Sequence, residues 1–351
     1  MKILVTGGAG YIGSHTTLAL LNAGYDVVVL DNFSNSSKLS LERVAKLAGK
    51  SPNVVEGDIL DDSAMRSLFD SHPDISAVIH FAALKAVGES AEYPIRYYEN
   101  NVAGSIVLLR EMERAGVNNL VFSSSCTVYG EPKEVPIDES HPIGKVSSPY
   151  GRTKSMMEEI IIDSCSANSN FKVALLRYFN PVGADKSGQI GEDPNGIPDN
   201  LVPFVCLVAT GKLQKLQVFG SDYPTRDGTA IRDYLHVTDL AEAHLKALEV
   251  LPKNDGVLTC NLGTGKGYSV LELIQTFEKV TGINIPYELV DRRTGDITEA
   301  WADPSYAKKV LDWSARHSLD EMLTDAWNWQ KKNPGVQELI FLWLELIVFG
   351  V

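Results

Sequence analysis

A doubly wound α/β chain is predicted by three features of the sequence. Apolar runs of strand length alternate with helix-length segments through the first half, the first run breaks into a glycine-rich turn, and the second ends on an aspartate. The runs are Ile3 to Val5, Val27 to Leu30, Val54-Val55, Ala77 to Ala83, Leu120 to Phe122 and Val173 to Leu176. Strands that are apolar throughout suit a parallel sheet covered by helices on both faces. A helix is expected from His15 to Ala23. After about Asn180 the alternation lapses, and Gly, Pro, Asn and Asp cluster from Pro181 to Asn200, which marks loops or a second lobe. Helical stretches Thr238 to Leu251 and Ser269 to Thr281 then flank a strand-like Leu258 to Leu262, so the chain is expected to weave between two lobes.

Length and composition set the class. At about 150 residues per domain, 351 residues make about two domains. Apolar residues at 44% and charged residues at 22% describe a folded globular chain rather than a disordered, fibrous or polytopic membrane one. Counting 32 basic against 45 acidic residues leaves a net charge of -13, which disfavours nucleic acid and anionic membranes as partners. An anionic ligand must be held by local groups. Cys126, Cys165, Cys206 and Cys260 are far apart and form no CxxC or Cys/His pair, so no zinc or other metal site is indicated and free cytoplasmic thiols are expected. Only Lys2 precedes the short run Ile3-Leu4-Val5, which is not a signal-peptide core. Gly335 to Val351 reads as an atypical apolar C-terminal extension. Its stretch Leu339 to Val351 is too short for a membrane-spanning helix, and an interface helix is the alternative to a packed or disordered end.

The chemistry begins at the first turn. Gly8-x-Gly10-x-x-Gly13, also readable from Gly7, follows a strand and opens a helix, the context that a dinucleotide fingerprint requires. Missing β-carbons let the backbone approach a pyrophosphate, and the helix N-terminus faces its charge. Asp31 stands eighteen residues beyond Gly13, where its carboxylate can bind both hydroxyls of an adenosine ribose. It would repel a 2′-phosphate, and no Arg or Lys lies between it and Lys38, so NAD is expected rather than NADP. Asp58, in Gly57-Asp58-Ile59 after the third strand, could face the adenine amino group or cap a helix.

The fifth strand ends in Ser123-Ser124-Ser125, and Tyr150-Gly151-Arg152-Thr153-Lys154 opens a helix twenty-five residues later. Tyr and Lys four apart share a helical face. A phenol is a poor base at neutral pH, but a nearby ammonium and a positive nicotinamide ring both favour its anion. Tyr150 can then remove a hydroxyl proton while Ser125 hydrogen-bonds the same oxygen.

With these residues in place, the chain resembles the extended short-chain dehydrogenase/reductases, and among them the UDP-hexose 4-epimerases, from Met1 to about Pro334. The blocks that carry the likeness are TGGAGYIGSH from Thr6, LDN from Leu30, GDI from Gly57, HFAALKAVGES from His80, SSSCTVYG from Ser123, SPYGRTK from Ser148, LLRYFNPVGA from Leu175, GEDPNGIPDNLVP from Gly191, DGTAIRDYLHV from Asp227, and RRTGD with WAD from Arg292. The resemblance implies a Rossmann-type NAD-binding domain over residues 1–179, with a returning segment at about 236–268. A smaller C-terminal α/β substrate lobe is implied over 180–235 and 269–334. Bound NAD would act as a transient hydride store, so no net redox occurs, and a homodimer is expected. By the same resemblance the cofactor is lined by Gly7, Gly10, Tyr11, Ile12, Gly13, Asp31, Asn32, Asp58, Ile59, Phe81, Ala82, Ala83, Lys85, Asn100, Ser123, Tyr150, Lys154 and Tyr178. The UDP-sugar would meet Lys85, Ser125, Tyr150, Asn180, Asn200, Leu201, Phe219, Arg232, Tyr234, Arg293, Asp296 and Ala300. An acidic chain needs guanidinium groups for a diphosphate, and Arg232 and Arg293 lie in its later half.

In this family a bulky tyrosine before WAD crowds the sugar 2-position, whereas here the residue is Ala300. N-acetylated UDP-hexosamines are therefore expected substrates beside UDP-glucose and UDP-galactose. A related 4,6-dehydratase would need an acidic pair after the serine-ended strand, where this chain reads Cys126-Thr127-Val128. A non-catalytic NAD-sensing regulator is the alternative from another class, and intact Ser125, Tyr150 and Lys154 argue against it. Cys126 itself reads as a small core residue.

Overall fold

The structure, a computed structural model, describes residues 1–335 apart from Ile197, Asp199 and Thr294. The apolar extension from residue 336 onward lies outside the described residues. Strands β1 (Lys2–Thr6), β2 (Asp26–Asp31), β3 (Asn53–Glu56), β4 (Ile75–His80), β5 (Asn119–Ser125) and β6 (Lys172–Tyr178) form the body of one parallel sheet. Between them run α1 (Tyr11–Asn22), α2 (Lys38–Ala48), α3 (Asp62–Ser71), α4 (Val87–Glu92), α5 (Pro94–Tyr98), α6 (Gly104–Ala115) and α7 (Pro149–Ala167). The remaining elements are β7 (Asn180–Val182), α8 (Leu201–Ala209), β8 (Leu216–Phe219), β9 (Ile231–His236), α9 (Val237–Val250), β10 (Val257–Leu262), β11 (Gly267–Ser269), α10 (Val270–Thr281), β12 (Tyr287–Val290), β13 (Glu299–Ala300), α11 (Ser305–Leu311) and α12 (Leu319–Lys332).

The sheet has seven strands in the order β10-β6-β5-β4-β1-β2-β3. It is the Rossmann-type doubly wound sheet that the alternating runs predict. Its inner strands are buried on both faces, successive side chains pointing opposite ways, while the edge strand β3 is largely exposed. Ile3, Val5, Val27, Val29, Ile79 and Val121 pack with α1, α2 and α9 on one side. Leu4, Val28, Leu30, Val78, Leu120 and Phe122 pack with α3, α6 and α7 on the other. Burying each such side chain contributes about 1.5–3 kcal/mol. The chain reverses direction across the sheet between β1 and β4, and ligand crevices form at the carboxyl ends of strands flanking such a point.

Two boundaries differ from the sequence expectation. The helix α1 starts at Tyr11 rather than His15, because Gly10 serves as its N-cap and Ile12 and Gly13 already lie in its first turn. The strand β4 stops at His80 although the apolar run continues to Ala83. Phe81 makes one last bond to the Thr6 carbonyl at 3.0 Å, and Phe81 to Ala83 then turn into the cleft.

A second, smaller lobe has its own core of Val205, Leu216, Val218, Leu273, Phe277, Met322 and Leu323. In it β9 pairs with β11, β13 and β7, while β8 pairs with β12. Helices α10 and α12 are each started by a reciprocal capping box, Ser269 with Glu272 and Ser318 with Glu321, which satisfies donors that the helix itself cannot.

Candidate active site

The glycine turn after β1 is shaped by contacts that no side chain would survive. A β-carbon on Gly13 would stand 2.1 Å from the Gly7 carbonyl oxygen, and one on Gly7, at φ 68°, would stand 2.7 Å from the Ala82 nitrogen. The N-cap Gly10 has no side chain to occupy the first N–H groups of α1, which border the cleft. Those donors and the helix dipole make a seat for a pyrophosphate.

Asp31, at the end of β2, is committed on both oxygens. Its Oδ2 accepts the Ala9 N–H at 2.9 Å, and its Oδ1 accepts Phe33 N–H at 2.9 Å and Ser36 Oγ–H at 2.8 Å. A carboxylate offers about four acceptor positions, so these three donors leave acceptor capacity on the Asp31 side chain, which borders the cleft. Asn32 and Ile59 border the cleft, but Asp58 does not. The Asp58 carboxylate accepts Leu60 N–H at 2.9 Å and Asn32 Nδ2–H at 2.8 Å. It turns the chain toward α3 and holds Asn32 in place.

Ser148 caps α7 by accepting the Gly151 N–H at 3.1 Å, and Pro149 opens the helix, which sets Tyr150 in the first turn. Lys154, one turn on, donates to the Ser123 carbonyl at 2.6 Å and lies 5.0 Å over the Phe122 ring. Burial pushes its pKa down to about 7, opposed by the Glu158 carboxylate. Burial also pushes the Tyr150 phenol up to about 12, while a hydrogen bond with Ser125 pulls it the other way. The sequence expectation credits the Lys154 ammonium with easing the phenol's ionisation. In the structure Ser125 is the group that does so, and Lys154 is turned to Ser123. Ser125 Oγ already accepts Thr127 N–H at 3.2 Å and Thr127 Oγ1–H at 3.0 Å, so its own proton is the part left to give. The Tyr178 hydroxyl hydrogen-bonds Ser123 Oγ, and burial raises its pKa.

Beneath these groups runs a buried polar chain. Glu158 takes hydrogen bonds from Ser124 Oγ and from Arg177, whose Nε lies 2.9 Å away. Arg177 Nη1 donates to Tyr129 at 3.0 Å, and Tyr129 donates to Asn261 at 2.7 Å. It braces β5, β6 and α7 where the catalytic candidates project.

Across the cleft, Arg232 donates to Asp296 at 2.7 Å and to the Ile231 and Ile297 carbonyls at 2.8 Å. Arg293 stacks 4.6 Å from the centre of the Phe219 ring. The buried Tyr234 phenol is pushed up to about 12. Ala300 pairs with Arg232 between β13 and β9 and packs with Val128, Tyr129 and Phe179. Cys126 borders the cleft with its thiol pushed up to about 12 by burial.

All the candidate residues except Asp58 border one cleft of about 1780 Å³. That is well above the roughly 300–1,000 Å³ of a single small-ligand pocket, and it accommodates a dinucleotide beside a nucleotide sugar. Sequence reasoning missed Ser36, Thr127, Glu158 and Glu192. Glu158 carries a spacing signal, four residues beyond Lys154 on the same helix, and Glu192 lies inside the GEDPNGIP block; Ser36 and Thr127 have neither.

A glycine turn, an acid at the end of β2 and a Ser-Tyr-Lys set on one cleft define an extended short-chain dehydrogenase/reductase. The chain belongs to the NAD dependent epimerase/dehydratase family, whose model matches residues 3–263. It is 58% identical over 334 residues to the UDP-glucose 4-epimerase of Erwinia amylovora, covering 95% of this chain and 99% of that one. It is 54% identical over 340 residues to that of Mus musculus, covering 95% and 98%. Among solved structures, the UDP-glucose 4-epimerase of Bifidobacterium longum in complex with NAD+ and UDP superposes with a TM-score of 0.93 at 50% identity, covering 95% and 99%. The UDP-Glc/GlcNAc 4-epimerase of Campylobacter jejuni superposes with 0.82 at 38% identity, covering 94% and 99%.

Proposed function

We propose that this protein is an NAD-dependent isomerase that inverts C4 of UDP-hexoses, interconverting UDP-galactose and UDP-glucose through a 4-keto sugar. The observation that carries this reading is the single cleft in which Ser125, Tyr150 and Lys154 face Arg232, Arg293 and Asn200. NAD, which the glycine turn, Asp31 and Lys154 would hold, would supply a reversible acceptor for the C4 hydrogen and a positive charge that favours the phenolate. Tyr150 takes the O4 proton as the alcohol is oxidised and gives it back on reduction. Ser125 has one proton to give, and turning it from the Tyr150 phenol to the same oxygen stabilises charge there. Lys154, anchored on Ser123, holds the nicotinamide ribose. Arg232 and Arg293 hold the diphosphate, so the sugar can turn while the nucleotide stays fixed.

The pocket also suits N-acetylated UDP-hexosamines, because Ala300 is small and borders the cleft. A tyrosine at this position would overfill it, at about 1–3 kcal/mol or 5- to 150-fold in rate. We propose two domains divided as the sequence suggests, and a cytoplasmic enzyme, in keeping with four free cysteines. We also propose a homodimer, since α5, α6 and α7 carry exposed Ile95, Ile106, Met156 and Ile162. Light scattering measures the dimer.

Product analysis tests the function. Purified protein without added NAD is incubated with UDP-galactose and with UDP-N-acetylgalactosamine, alongside Tyr150→Phe and Ala300→Tyr. Turnover of UDP-galactose that Tyr150→Phe abolishes while NAD stays bound supports the epimerase, and function that survives Tyr150→Phe favours a regulator. Selective loss of the acetylated substrate in Ala300→Tyr supports the wider range; equal loss on both substrates, or none, rejects it.

A further inference from the structure

We infer that Glu192 is a positioning residue of the nucleotide-sugar site, aiming the Lys85 ammonium and the Asn200 amide into the cleft from opposite sides. The inference rests on the function proposed above. The Glu192 carboxylate borders the cleft, and its side chain is only 10% exposed. One oxygen, Oε1, accepts Lys85 Nζ–H at 2.9 Å and Asn200 Nδ2–H at 2.6 Å. These donors come from distant segments. Lys85 follows β4 beside the cofactor half, while Asn200 precedes α8 in the substrate lobe. Glu192 is anchored in turn, because its own carbonyl accepts Trp329 Nε1–H from α12 at 3.4 Å.

Asn200 supplies an independent sign. It occupies the N-cap of α8, where an asparagine ordinarily turns its side chain onto the helix, yet it makes no capping bond. Its amide is spent on Glu192, and the first N–H groups of α8 are left facing the cleft beside Leu201.

A carboxylate here is costly on two counts. It is largely withdrawn from water, and it adds negative charge to a site for a diphosphate. Its compensation is geometric. Lysine carries its charge on a flexible four-carbon stem, and an unpartnered ammonium samples many rotamers that must be frozen when substrate binds. Glu192 freezes Lys85 in advance and fixes Asn200 by the same atom. Removing it has two opposed effects on the UDP moiety: less repulsion tightens binding, and lost orientation weakens it. The inference commits to the second as the larger.

The test is a double-mutant cycle in KM and kcat for UDP-galactose on the NAD-loaded protein, with Glu192→Gln, Lys85→Met and the pair combined. Loss of a charge-assisted hydrogen bond predicts a KM rise of about tenfold or more in Glu192→Gln, with kcat changed less than about threefold. The loss in the double variant should be less than the sum of the two single losses, because both remove the Lys85–Glu192 contact, while Glu192→Gln also weakens the one to Asn200. Glu192→Asp separates placement from charge: it keeps the charge but retracts it by one methylene, and should also raise KM. A KM that is unchanged or lower in Glu192→Gln, additive effects in the cycle, or a normal KM in Glu192→Asp overturns the inference. Inactivity of the unaltered protein on UDP-galactose would instead overturn the underlying function.

Discussion

Asp31 Oδ2 accepts the Ala9 N–H at 2.9 Å, which ties the end of β2 to the glycine turn leaving β1. The same carboxylate holds Phe33 and Ser36, so one side chain shapes both the glycine turn and the loop after β2 that borders the cleft. In Asp31→Asn one acceptor oxygen becomes a donor and must confront donors already in place. The expected result is NAD binding weakened by about 10- to 100-fold, or about 1–3 kcal/mol. NAD content after purification and a fluorescence titration check it, and unchanged retention would contradict this role for the carboxylate.

Gly13→Ala tests the turn from the other side. The added methyl would sit 2.1 Å from the Gly7 oxygen; the backbone fixes the methyl's position and the oxygen belongs to it, so no side-chain rotation relieves the clash. The variant is expected to emerge without bound NAD and with a lowered melting temperature. Gly24→Ala separates backbone strain from the clash, since Gly24 has a positive φ, which Gly13 does not, and nothing lies within 4 Å of its added methyl.

Removing the charge of Glu158 leaves Arg177 in the interior with its acceptor weakened. Breaking one side of a buried ion pair typically destabilises by about 3–5 kcal/mol. Glu158→Gln should therefore lower the denaturation midpoint substantially, and a loss below about 1 kcal/mol would show that the network is dispensable.

Three buried imidazoles predict acid sensitivity. Burial pushes the pKa of His80 down to about 3, and of His15 and His244 down to about 4, from an ordinary 6.5. Below pH 6.5 the unfolded chain takes up protons that the folded chain refuses. Stability therefore rises with pH between about 3 and 6.5, is complete above 6.5, and is lost as the pH falls through that window. Each group contributes a slope of up to about 1.4 kcal/mol per pH unit. Urea midpoints at pH 7, 6 and 5 should fall steadily, and a profile flat from pH 7 to 5 would refute the prediction.

Much of the site was legible before any coordinates. Gly7, Gly10 and Gly13, Asp31, and the Ser125-Tyr150-Lys154 set were found because each is a local pattern whose spacing the backbone enforces. The family blocks extended the reading to Arg232, Arg293 and Ala300. What the sequence leaves open is where a side chain turns. Asp58 reads equally as an adenine contact or a helix cap, and the fold turns it onto Leu60 and Asn32. Four-residue spacing alone reads Lys154 as activating Tyr150, but at the cleft wall its ammonium donates to the Ser123 carbonyl.

By itself the sequence determined the elements and their order, because apolar runs, caps and glycines act within a few residues of chain. Tertiary structure decided which polar groups face one another. Lys85 and Glu192 are 107 positions apart, and Arg177 and Glu158 meet only where β6 passes behind α7. Arg177 and Glu158 pair because burial leaves them few partners, whereas half-exposed Lys85 meets Glu192 because of how the elements pack.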